Sequence, residues 1–144
     1  MTKICEDERM ASLRKYFIWA DLMRRLFDQI LRTGNAESMT PDREGFAYMS
    51  YWYGALYVVI EGWCEMALSD DAVDSLLLEK DRVSLLRRYR NGAFHFRPGV
   101  LDPRFMGFVG NQGAAKWVTE LHCAFYTYFG KLPGLASIRS PGRG

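Results

Sequence analysis

Apolar side chains return at helical spacing along most of this chain, and the breaks in that rhythm mark its loops. Met10, Leu13, Phe17, Ala20, Phe27, Ile30 and Leu31 recur near every third or fourth position, with Arg14, Arg24, Arg25 and Asp28 mostly on the other side. One amphipathic helix from about Asp7 to Leu31 is expected, stopped by Thr33-Gly34-Asn35. A polar loop then runs to Met39. Thr40-Pro41 reads as the next helix start, with Thr as cap and Pro at the first helical position, where its missing N–H costs nothing. That helix can extend to Leu68 and is apolar nearly all round, as a central helix or an oligomer surface would be. Tyr51, Trp52, Tyr53 and Trp63 are bulky for a pure interior and leave room for a second copy.

Ser69-Asp70-Asp71 is a third start signal, with acids in the first turn where the helix dipole favours them. Val73, Leu76, Leu77 and Leu78 follow. Lys80-Asp81 is either a break or a continuation before Val83, Leu85, Leu86 and Tyr89 drive a helix into Arg90. Pro98 biases Arg97 away from helix, so His95 belongs to the last turn or just beyond it. Asp102-Pro103 repeats the cap-then-proline signal for a short helix to Val109. A last helix is expected from Ala114 to Lys131, with Trp117, Leu121, Ala124, Phe125, Tyr128 and Phe129 on its inner face. No run alternates as a strand would. The expectation is all-α: four main helices in an up-down bundle with short extra helices, one domain over residues 1–132, and a loose Pro/Gly/Ser/Arg-rich tail over 133–144.

Composition narrows the function. The chain has 144 residues, 49% hydrophobic and 25% charged, enough for a real core. The net charge of +2 is too small to make the whole surface a polyanion binder. Its distribution is more informative, because Arg82, Arg87, Arg88, Arg90, Arg97 and Arg104 fall in one stretch around His95. Cys5, Cys64 and Cys123 are too few and too scattered for a disulfide framework and suit a reducing cytoplasmic setting. No signal peptide is visible at the start. The longest uncharged stretch, Gly45 to Ile60, is short for a membrane span and reads as a buried helix.

The candidate chemistry lies in Arg90-Asn91-Gly92-Ala93-Phe94-His95. Arginine is permanently charged and its fork matches phosphate oxygens. Histidine can take and give a proton near neutral pH. Those two groups at a helix-to-loop edge are the parts that metal-free phosphodiester chemistry needs. The competing reading is a surface arginine and a histidine that caps a helix C-terminus. His122 and Cys123 on the last helix lack ligand-pair spacing, so no metal site is expected and His122 reads as a packing or surface residue. No glycine-rich phosphate loop or Ser/Cys nucleophile pattern occurs.

Leu85 to Phe96, then Asp102-Pro103-Arg104-Phe105, then Trp117 through Leu121-His122 to Phe125 and Phe129, resembles the HEPN superfamily, an α-helical bundle marked by Arg, four to six residues, then His. The resemblance implies a metal-independent endoribonuclease without cofactors, a toxin or defence effector whose groove forms between two protomers. It assigns catalysis to Arg90 and His95 with Asn91 in support. Arg97, Arg87 and Arg104 are the candidate RNA-binding cations. RNA, a second copy of the chain and an antitoxin protein are the implied partners. In the antitoxin-paired branch a Tyr stands two residues after the His; here that position is Arg97, which argues against regulation through that Tyr. The alternative is a non-catalytic helical module that binds a nucleotide, RNA or protein.

Overall fold

A computed structural model describes residues 2–100 and 102–132, with side chains from residue 8 onward. The elements in chain order are α1 (Thr2–Thr33), a 3-10 turn (Ala36–Met39), α2 (Glu44–Glu65), α3 (Asp71–Leu77), α4 (Lys80–Ala93), α5 (Pro103–Val109) and α6 (Ala114–Gly130). The protein is an all-α bundle, with no strand among the described residues. The expected tail, 133–144, lies outside the described residues, as does the side chain of Cys5.

α1 and α2 form an antiparallel pair. The early α1 residue Leu13 lies against late-α2 Gly62, and Ile30 at the far end of α1 lies against Gly45 at the start of α2. Leu13, Phe17 and Ala20 close onto Leu56, Val59, Ile60 and Trp63, and α6 adds Leu121, Phe125 and Phe129 to the same core. Phe17 stacks on Phe129, and Trp63 meets Phe125 edge-on. Each such ring removes a large apolar area from water, which is the main driving force here.

The short α3 is tied by its cap and by two indoles. Asp70 accepts from the Val73 backbone N–H, Trp63 donates to Asp74 at 3.0 Å, and Trp117 donates to the Leu76 carbonyl at 3.0 Å. Asp102 caps α5 as expected, accepting from the Arg104 N–H at 2.8 Å, with Pro103 at the first position.

Two helix boundaries differ from the sequence expectation. Thr40 does not open α2. Its hydroxyl donates to the Glu37 carbonyl or to Asp42, which closes a turn, and α2 begins at Glu44 after an extended Arg43. A local side-chain bond has displaced the cap by three to four residues. At the other end α2 stops at Glu65 rather than Leu68. Ala67 takes a left-handed conformation (φ 53°), while Leu68 N–H donates to the Trp63 carbonyl and Ala67 N–H to that of Cys64. This is a Schellman closure with alanine in the place that glycine usually fills. The bulky rings also behave differently from expectation: Trp52, Tyr53 and Trp63 are buried within one chain, and only Tyr51, 56% exposed, is left for a partner.

Candidate functional site

The Arg90–His95 segment is positioned by α4 lying antiparallel along α2. Tyr89 anchors it from inside: it is fully buried, its hydroxyl pairs with Ser50 at 2.7 Å, and its ring meets Tyr53 and Phe105. With Tyr89 turned inward, the next residue, Arg90, stands at the rim. Its guanidinium lies over the Tyr57 ring, 4.9 Å from the centroid. Its Nε donates to Asn91 Oδ1 at 3.1 Å and its Nη1 to Glu61 Oε1 at 3.2 Å. Nη2 makes no hydrogen bond among the described residues. Arg90 is therefore oriented from three sides, with one donor group still available.

The rest of the hexapeptide is packing. Gly92 is buried where α5 crosses α4; a Cβ there would stand 3.1 Å from the Arg104 Cβ and 3.4 Å from Phe105. The edge of the Phe94 ring lies against Gly54 of α2, close enough that a Cβ on Gly54 would overlap it, and the ring meets Tyr51 edge-on. Helix α4 ends at Ala93, so His95 sits just beyond it, in the loop, exposed and without a hydrogen bond among the described residues. No bond joins Arg90 to His95.

The candidate RNA-binding cations fall into two groups. Arg87 is exposed on α4 one turn before Arg90, near Tyr57. Arg97 and Arg104 both face Asp102, at 3.9 and 4.0 Å. These are loose ion pairs of partly exposed arginines, worth little in water. Tyr57 reports the mixed field: burial and then Glu61 push its hydroxyl above the ordinary tyrosine range, while Arg87 and Arg90 pull it down.

The chain matches no family model, no curated protein and no solved structure. None of these comparisons bears on the HEPN resemblance expected from Leu85 to Phe129. No helix among the described residues is long and apolar enough to cross a membrane. Cys64 and Cys123 are free and exposed, and no group of three or more His, Cys, Asp or Glu gathers among the described residues.

Two features escaped the sequence reading. Glu61, one helix away, holds Arg90; its place at the end of the long uncharged run of α2 was the available signal. The second is a buried polar chain. Trp52 Nε1 donates to His122 Nδ1 at 3.0 Å, His122 Nε2 lies 2.9 Å from Asp21 Oδ1, and Arg25 closes on Asp21 Oδ2 at 2.6 Å. Because Nδ1 must accept, the ring is neutral and Nε2 carries the hydrogen toward Asp21. Burial pushes the His122 pKa below its ordinary value, with Asp21 opposing. Burial alone would raise Asp21, but His122 and Arg25 outweigh it and hold the carboxyl below its usual range. His122 is thus a packing residue that joins α1, α2 and α6. Asp21 could have been found as an acid set beside Phe17 and Ala20 in the inward stripe.

Proposed function

We propose that the protein is a metal-independent endoribonuclease that works as a homodimer, with Arg90 and His95 of both chains facing one groove. The observation that carries this reading is the pairing of an oriented rim arginine that keeps a free donor group with an exposed, unbonded histidine at the end of the same helix. A phosphodiester needs a cation at the phosphoryl oxygens and groups that accept and give protons. Arg90 Nη2 meets the first need, and Asn91 fixes the guanidinium from its Nε side. His95 takes the proton from the ribose 2′-OH as that oxygen attacks phosphorus. The bond from phosphorus to the 5′-oxygen breaks, and the partner's His95 protonates the leaving oxygen. The products are a 2′,3′-cyclic phosphate and a 5′-hydroxyl. Arg87, Arg97 and Arg104 supply backbone contacts that set affinity and its salt dependence, not sequence choice. A cytoplasmic toxin or defence role, held in check by an antitoxin, belongs to the same proposal.

One observation favours a second reading. Every contact of Arg90 is internal, to Asn91, Glu61 and Tyr57, as expected of an arginine that pins α4 to α2 in a non-catalytic RNA- or protein-binding module. An oligoribonucleotide with one 2′-deoxyribose at the cut position separates the two. The enzyme leaves that link intact and cuts the all-ribose strand to cyclic-phosphate ends. A binding module cuts neither strand, and if RNA is its ligand it holds both equally.

A further inference from the structure

Away from the Arg90–His95 edge, the second half of α1, the first half of α2, the end of α5 and the start of α6 enclose a cavity of about 350 Å³. Ligand sites start near this size. Four aromatic rings form its walls: Phe27, Trp52, Tyr53 and Phe108. At the mouth stand Arg24 and Asp28, paired with each other at 3.5 Å. The rim carries both signs and no net charge, so an ion entering the apolar interior would lose hydration without a counter-charge of its own.

The polar groups of the wall are spoken for, with one exception. The Trp52 N–H goes to His122, and the Thr119 hydroxyl donates to the Ala115 carbonyl. Tyr53 is only 5% exposed, yet its hydroxyl makes no hydrogen bond among the described residues. No described polar side-chain atom is both sealed from solvent and unpartnered, so this hydroxyl still reaches accessible space. Tyr53 is among the residues that line this cavity. Burial pushes the Tyr53 pKa well up, which keeps the hydroxyl a donor at any physiological pH. We propose that this cavity is a binding site for a small neutral aromatic molecule carrying one hydrogen-bond acceptor, stacked between the rings and held by the Tyr53 hydroxyl. The proposal is independent of the ribonuclease reading, since no residue of the Arg90–His95 segment lines the cavity.

The test is a titration of the full chain with quinoline at pH 8, where it is neutral, and with naphthalene, which has the same shape but no acceptor, followed by amide and indole NMR shifts. Saturable shifts should centre on Met49, Trp52, Tyr53 and Thr119. Tyr53→Phe removes only an unbonded hydroxyl and should fold normally. It should weaken quinoline about fivefold, the size of one net hydrogen bond, and leave naphthalene unchanged. Ala115→Trp or Thr119→Phe, at exposed rim positions, should block both probes. Shifts that do not saturate, shifts centred elsewhere, quinoline binding unaltered by Tyr53→Phe, or binding that survives both rim variants would each overturn the proposal.

Discussion

Replacing Asp21 with alanine should be among the most damaging single changes in this chain, although the residue is remote from the proposed site. Asp21 is 3% exposed and His122 is 1% exposed. Removing the carboxylate strands the His122 Nε2–H in the core, at a cost of about 1–3 kcal/mol. It also removes one partner of Arg25, and breaking a buried ion pair from one side costs up to about 3–5 kcal/mol. The Arg25 side chain is about a third exposed, so water recovers part of that cation's loss. These limits together place the net destabilisation near 3 kcal/mol. At roughly 3 °C per kcal/mol for a chain of this size, the Tm should fall by about 9 °C. Urea denaturation followed by tryptophan fluorescence measures it, with Asp21→Asn as the control. Asparagine can still accept from Nε2 and should lose about half as much. A midpoint for Asp21→Ala that shifts by less than about 0.5 kcal/mol would refute the view that this carboxylate satisfies the His122 ring.

The same network sets a pH dependence. The folded pKa of His122 lies below its unfolded value of 6.5, so unfolding takes up a proton in acid, and stability present above pH 6.5 should decline as pH falls through the folded value; urea midpoints at pH 7.5 and 5.5 should show a drop that His122→Gln flattens. Ala67→Gly should raise stability by about 1 kcal/mol, because glycine takes the left-handed position at the end of α2 without a Cβ penalty; an unchanged Tm would contradict this. Asp102→Ala removes the α5 cap and should cost about 1 kcal/mol in the same assay. Gly54→Ala places a methyl where the Phe94 ring lies; about 1 kcal/mol of helix propensity offsets the crowding, so Tm should hold while RNA cleavage falls at least tenfold as the chain beside His95 shifts.

Local signals carried most of this fold. Asp70 and Asp102 cap where an aspartate ahead of a helical run should, and α6 ends within one residue of its expected limit. The misreadings came where a neighbour competed for the same atoms. Thr40 had Glu37 and Asp42 within reach, and Ala67 entered a conformation that its residue type does not advertise. The candidate site was half legible. Arg90 and His95 lie on one continuous segment, whereas Glu61 and Tyr57 come from α2 and meet Arg90 only through helix packing. The Trp52–His122–Asp21 chain was harder still, since its members are 70 and 101 residues apart and nothing local links them. Gly54 and Gly92 look like helix weaknesses in the sequence, and only the close approach of Phe94 and of α5 explains them.

Digestion of total RNA in EDTA by the wild-type chain beside Arg90→Ala and His95→Ala tests the central claim most directly, with folding checked by circular dichroism. Arg90 is held by weak rim contacts and His95 by no hydrogen bond or ion pair among the described residues, so both variants should stay folded. The account predicts cleavage by the wild type and at least a hundredfold loss in each variant. Cleavage that persists in either folded variant, or a wild-type protein that binds RNA and leaves it whole, would contradict it.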